Sequence, residues 1–203
     1  MTTPDFSFEE ACNKEPICGV DEAGRGPWAG PVVASAVILD PAYIPDGLND
    51  SKKLTAKRRD ALFDEITEVA QVGVGIATVQ EIDDINILQA TFLAMRRAVE
   101  ALPQPPAHAL IDGNKIPPRL ICDAEAIVKG DGRSVSIAAA SIIAKVTRDR
   151  IMVTLAQQFP GYGWERNAGY GVKAHQEGLN RLGVTPHHRV SFKPVHKMLY
   201  QDN

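Results

Sequence analysis

The 203 residues, 44% hydrophobic and 23% charged with a formal net charge of −3, fit one domain or one domain with an appendage and exclude a disordered chain. The three cysteines Cys12, Cys18 and Cys122 contain no C-x-x-C pair, which excludes a disulfide framework or a zinc ribbon. With no apolar signal core and no run of about 18 apolar residues, no membrane contact is expected and the protein is read as cytoplasmic. A monomer is expected, although no sequence feature decides oligomeric state.

In chain order, residues 1–15 read as a flexible leader without periodicity or caps. An apolar strand at 17–21 then delivers two adjacent carboxylates, Asp21 and Glu22, into the turn Gly24-Arg25-Gly26. Side chains alternate along a strand, so the two acids share one site only if the strand ends there. Glycine allows backbone N–H groups to approach a ligand, and Arg25 offers a charged donor fork suited to phosphate. The Gly19 to Gly24 spacing is that of a P-loop, but Arg25-Gly26 replaces its Lys and hydroxyl residue. The apolar run 31–39 suits a strand covered on both faces.

Thr55 caps an expected helix bearing Leu62, Phe63, Ile66 and Val69. Residues 71–79 form a strand that Gly73 and Gly75 weaken. A helix from about residue 84 to 102 carries Leu88, Phe92, Met95 and Val99 on one face, with Asp83 and Asp84 serving its N-terminal dipole. Ala109-Leu110-Ile111-Asp112-Gly113 repeats the opening pattern, an apolar strand ending in an acid and a glycine. The segment 121–128 does so again at Lys129-Gly130-Asp131, with Asp123 a nearby competitor. Three apolar segments that each stop at an Asp indicate convergence on one site. An alanine-rich helix at 134–159 is suited to close packing on a sheet. Beyond Pro160 the texture changes to Gly, Tyr, Trp, His and Arg, with one short helix at 172–182. The chain therefore divides into a leader (1–15), a core (16–159) and a basic, mostly helical extension (160–203). From residue 145 onward nine Lys or Arg face four Asp or Glu, so the remainder carries a net −8. An acidic front and a basic back match a metal-dependent nuclease. Interleaved strands and helices argue an α/β sheet covered by helices.

The segment from Gly19 to Pro27 resembles the signature of type 2 ribonuclease H, the ribonuclease HII family. Further matching blocks follow in family order: Asn49-Asp50-Ser51-Lys52-Lys53-Leu54, Ile111-Asp112-Gly113, Lys129-Gly130-Asp131, the stretch from Ser136 to Val146, Gly169-Tyr170-Gly171 and His188-Arg189-Val190-Ser191-Phe192. The resemblance spans about residues 17–195. It implies a ribonuclease H-like fold, a central mixed β-sheet flanked by helices, with a C-terminal helical extension.

Asp21, Glu22, Asp112 and Asp131, without a His or Cys partner at ligand spacing, make an oxygen-only set suited to Mg²⁺ or Mn²⁺. Two such ions hold the attacking and leaving oxygens of an in-line phosphoryl displacement. In the family, residues matching these four form the metal site, and water attacks the phosphodiester to leave 5′-phosphate and 3′-hydroxyl ends. The resemblance also implies that the protein cuts RNA/DNA hybrids and duplex DNA containing single ribonucleotides. By the same carry-over Gly24, Arg25 and Gly26 read the ribonucleotide, and Tyr170 stacks on the neighbouring deoxyribose. Ser51, Lys52, Arg189 and Ser191 lie near the substrate. His187 and His188 lack metal partners, and Val172 stands where relatives commonly have Thr. A ribonuclease H-fold nuclease of other substrate and a silent nucleic-acid-binding module are the competing readings; the complete acid set argues against the second.

Overall fold

A computed structural model describes residues 3–200. Its centre is β1 (Ile17–Ala23), flanked by β2 (Val32–Ile38) and β4 (His108–Asp112) in a five-stranded sheet closed at its edges by β3 (Gln71–Ala77) and β5 (Asp123–Ile127). β1–β2 and β2–β3 pair antiparallel, β1–β4 and β4–β5 parallel, so the sheet is mixed. Every residue of β2 is buried, the outcome expected of an unbroken apolar run covered on both faces.

Seven helices accompany the sheet among the described residues: α1 (Ser7–Ala11), α2 (Ala56–Val69), α3 (Val79–Glu100), α4 (Val135–Gln158), α5 (Trp164–Asn167), α6 (Lys173–Leu182) and α7 (Lys193–Tyr200). Ile82, Ala94, Met95, Ala98 and Val99 of α3 pack on Val20, Val32, Ala34 and Ala36 of one sheet face. Ala138, Ala139, Ile142 and Ile143 of α4, with Leu62 and Ile66 of α2, form the other core layer with Val37. Each isoleucine buried there contributes about 2–3 kcal/mol relative to exposure. Gly73 and Gly75 do not weaken β3. A Cβ on Gly73 would lie 2.1 Å from the Ala98 carbonyl oxygen and one on Gly75 2.0 Å from that of Ala94, so their bare backbone lets α3 settle on the sheet.

Three expectations need correction. Within its described residues, 3–15, the leader is tied down rather than frayed: Glu9 is buried, and its Oε1 accepts from Ser134 Oγ at 2.6 Å and from the Ser136 N–H at 3.0 Å. The first N–H groups of a buried helix need acceptors, and an anion there also meets the helix dipole. α3 starts at Val79, because Thr78 and Glu81 form a reciprocal capping box, and it kinks at Asn86 (φ 67°), whose Oδ1 caps the longer segment. Asp83 therefore lies inside the helix, and its carboxylate accepts from the backbone N–H groups of Val190 and Ser191. Beyond residue 160, α5 and α7 join the expected helix, and Tyr162, Trp164 and Leu179 share a small core with Ala29 and Met152.

Candidate active site

Parallel pairing of β1 with β4 ends at Val20 opposite Ile111, so the next residues, Asp21 and Asp112, stand at neighbouring strand ends. β1 itself continues beside β2 to Ala23, two residues beyond the expected stop, and Asp21 and Glu22 nevertheless both feel the charge of Asp112, so a strand end at Asp21 is not needed for them to share a site. β5 pairs Ile127 with Asp112 and then turns through Lys129 (φ 56°). The Gly130 N–H donates to Asp112 Oδ1 at 2.7 Å, which brings Asp131 to the same end of the sheet. Asp123 is opposite His108 at the far end and pairs with Lys14, so it is no competitor for the cleft.

Electrostatics ties the four acids together. Asp21 is buried, and desolvation, followed by the charges of Glu22, Asp112 and Asp131, holds its carboxyl well above the usual range. Burial also raises Glu22, against the opposing pull of Arg25 at 3.5 Å, and Asp131 is raised by burial and then by Asp112. Burial lowers the Lys52 ammonium, but the summed charges of Asp21, Asp50, Asp131 and Asp112 outweigh it and hold the group above its usual range. Asp50 caps the 3₁₀ turn Ser51–Lys53 that carries this lysine. Ser51 is buried, with its N–H on Ser141 Oγ and its carbonyl on Arg59, so it anchors the turn. A cleft of about 630 Å³ is lined by Asp50, Lys52, Lys53, Asp112, Asp131 and Arg133.

Among the described residues no three acid, imidazole or thiol groups close around one ion. Carboxylates without a cation repel one another. An open set of oxygen donors nevertheless fits Mg²⁺ or Mn²⁺, hard ions that keep waters and are completed by substrate phosphate rather than caged by protein alone. No imidazole or thiol lines the cleft, which is unlike a zinc site.

Gly24 has φ 100°, and a Cβ there would lie 2.1 Å from Arg148 Nε. Tyr170 is 46% exposed, and its ring lies beside Gly26, where an added Cβ would come within 3.3 Å of Cε1. The Trp28 N–H donates to the Gly169 carbonyl at 2.8 Å, joining the glycine turn to the tyrosine loop.

Two expected substrate contacts are corrected. Arg189 is completely buried, with its guanidinium on the carbonyls of Gly24, Arg25, Gly30 and Pro31, and has no free face for phosphate. Ser191 is exposed, but its hydroxyl donates to Asp83 and so fastens the loop to α3. Of the basic residues after 144, Lys193 and Lys197 do reach a surface, lining a groove of about 450 Å³ with Trp28, Gln176 and Asn180.

Sequence reasoning missed the work of His175 and His188. Trp164 Nε1–H and His188 both face His175 Nε2, at 3.1 and 3.0 Å, while His175 Nδ1 bonds the Tyr170 carbonyl at 3.0 Å and Thr185 N–H donates to His188 Nδ1 at 3.0 Å. These bonds require two neutral imidazoles. Burial first, then the neighbouring His175, lowers His188 to about 4, and burial lowers His175 as well. A depressed histidine contributes stability that is full above its unfolded value of about 6.5 and is lost as pH falls through the folded one. Urea unfolding should therefore show stability falling between pH 7 and 4, with at most about 3 kcal/mol of the loss from His188, and His188→Gln should make the loss shallower.

Val172 is the N-cap of α6 and supplies no side-chain acceptor, with φ −77° and ψ 167° already suited to a cap. Val172→Thr should add about 1 kcal/mol, seen as a melting temperature higher by roughly 2–4 °C.

A mixed five-stranded sheet with helices on both faces, its central parallel strands carrying Asp21 and Asp112 at neighbouring positions, defines a ribonuclease H-like fold. The family model for ribonuclease HII matches residues 18–195. A ribonuclease HII of Ruegeria pomeroyi is 64% identical over 205 residues, covering 100% of this chain and 88% of that protein. The solved ribonuclease H2 of Pyrococcus horikoshii is 28% identical with a TM-score of 0.76, covering 92% of this chain and 99% of that one. The RNase HII of Archaeoglobus fulgidus, solved in a complex with PCNA, is 28% identical with a TM-score of 0.74 over 87% of this chain and 95% of that one. The chain belongs to the ribonuclease HII family and is a metal-dependent endoribonuclease. Among the described residues no helix is long and apolar enough to cross a membrane.

Proposed function

We propose that the protein hydrolyses the RNA strand of RNA/DNA hybrids and cuts 5′ of single ribonucleotides embedded in duplex DNA, leaving 5′-phosphate and 3′-hydroxyl ends. The observation that carries this reading is the convergence of Asp21, Glu22, Asp112 and Asp131 at one end of the sheet, by the β1–β4 register and the Gly130 N–H bond to Asp112, with Lys52 lining the adjoining cleft. Two Mg²⁺ or Mn²⁺ ions, when bound by these carboxylates, supply an activated water and stabilise the leaving oxygen. Asp21 and Asp112 serve as the central ligands, and Glu22 and Asp131 flank them. Lys52 draws a phosphate toward the acids and offsets their charge.

Gly24, Arg25 and Gly26 present backbone groups to the 2′-hydroxyl, the feature that separates RNA from DNA. Tyr170 stacks on the following sugar and disfavours a second hydroxyl there. Lys193 and Lys197 contact the duplex backbone away from the chemistry, so binding weakens as salt rises.

The test is a panel of end-labelled duplexes containing no ribonucleotide, one ribonucleotide or an all-RNA strand. Cutting of the second and third, with the all-DNA duplex intact, is the expected result. Cleavage of DNA alone would indicate a nuclease of other substrate. Binding without cleavage of any duplex would indicate a silent module.

A further inference from the structure

Arg148 and Arg189 are both almost wholly buried, and among the described residues neither has a carboxylate within ion-pair distance. All seven hydrogen bonds of the two guanidiniums go to main-chain carbonyls. Arg148 bonds Pro31, Ala168 and Ala29 at 2.9, 2.9 and 3.1 Å. Arg189 bonds Gly30, Arg25, Gly24 and Pro31 at 2.9, 3.1, 2.5 and 3.2 Å. Burial, and the charge of Arg148 next to it, lowers Arg189 to about 9. Such a group carries a desolvation cost that a well-packed apolar side chain avoids, so the fold alone does not account for it.

Peptide stereochemistry supplies the reason. In a trans peptide C=O and N–H point in opposite directions, and the peptides of the glycine turn are trans. When Arg189 draws the carbonyls of Gly24 and Arg25 inward, the N–H groups of Arg25 and Gly26 turn outward. Pro27 has no N–H, so the donors number two. Among the described residues neither N–H has an intramolecular acceptor. A charged donor on the carbonyl also polarises the peptide and strengthens its N–H as a donor.

We propose that Arg189 is a positioning and specificity-determining residue, whose buried fork aims the N–H groups of Arg25 and Gly26 as a donor pair at the ribonucleotide 2′-hydroxyl. This rests on the reading that the glycine turn recognises ribonucleotides. Arg189→Lys keeps a charge but loses the planar fork. Arg148→Lys serves as control, because Arg148 holds carbonyls outside the 24–26 turn.

In an Asp21→Asn background, the affinity for a duplex with one ribonucleotide is compared with that for the same all-DNA duplex. The parent protein is expected to favour the ribonucleotide by 10-fold or more. Arg189→Lys is expected to bring that ratio to within twofold of unity with all-DNA affinity unchanged within threefold, whereas Arg148→Lys keeps the ratio. An unchanged ratio in Arg189→Lys, or equal collapse in both lysine variants, overturns the proposal. A ratio of one in the parent overturns the underlying reading and the proposal with it. Should Arg189→Lys not fold, amide proton shifts in the parent decide: those of Arg25 and Gly26 move downfield on the ribonucleotide duplex and not on all-DNA, and their failure to move overturns the proposal.

Discussion

Asp21→Asn should lower the single-turnover cleavage rate by on the order of 10³-fold or more while making the ion-free protein more stable. The activity loss follows from removing a charged ligand that holds a cation most tightly as charge develops on the reacting phosphate. The stability gain follows from the same burial. A carboxyl raised in the folded state contributes stability below its unfolded value near 3.9 and loses it as pH rises through the folded one. At pH 7 to 8 Asp21 is therefore a liability to the ion-free fold, because burial and the charges of Glu22 and Asp112 disfavour its carboxylate. Asparagine removes that repulsion and keeps the shape. In EDTA the melting temperature should rise by a few degrees, since about 1 kcal/mol corresponds to roughly 2–4 °C in a chain of this size. Saturating Mg²⁺ should stabilise the parent more than the variant. Retained cleavage, or a lower melting temperature in EDTA, would remove Asp21 from the centre of the site.

Tyr170→Ala should fold normally and lose roughly 10- to 100-fold in cutting at a single embedded ribonucleotide, in line with about 1–3 kcal/mol for one stacking contact. The ring is 46% exposed and sits beside Gly26, and the residue's structural bonds are made by its main chain, N–H to Asn167 and carbonyl to His175. Truncation should thus cost well under about 1 kcal/mol of stability. Tyr170→Phe keeps the ring and should retain most activity. Loss on continuous hybrids should be smaller, because the sugar that follows the recognised ribonucleotide is then a ribose, which the Tyr170 ring already disfavours. Proportional loss on every substrate would instead mark Tyr170 as a general support of the cleft.

Much of this site was legible because its logic is local. Strand, acid and glycine recur at Asp21 and Asp112, and a short apolar segment followed by Gly130-Asp131 gave the third carboxylate. Register then made neighbours of residues far apart in sequence, and no local pattern states register. The alanine run from Ala138 to Ala140 announced close packing, and the same packing explains Gly73 and Gly75, which local propensity had counted against their strand. The capping box of Thr78 and Glu81 was readable as a spacing and was missed, which displaced the start of α3. Arg189 shows the opposite limit. A basic residue in a basic segment suggests phosphate, and only the tertiary structure reveals that its four hydrogen bonds all go to carbonyls between Gly24 and Pro31, more than a hundred positions earlier. Glu9 likewise carried no sequence signal, because its partners at Ser134 and Ser136 exist only once α4 is in place.

The most direct test of the metal-site account is the chemistry of the product ends. A duplex carrying one ribonucleotide is incubated with the protein in Mg²⁺, in Mn²⁺ and in excess EDTA, and both new termini are mapped. Cleavage only with a divalent ion, giving a 5′-phosphate and a 3′-hydroxyl, is the predicted result for water attack held by four carboxylates. Cutting in EDTA, or a 2′,3′-cyclic phosphate from attack by the ribonucleotide's own hydroxyl, would contradict it.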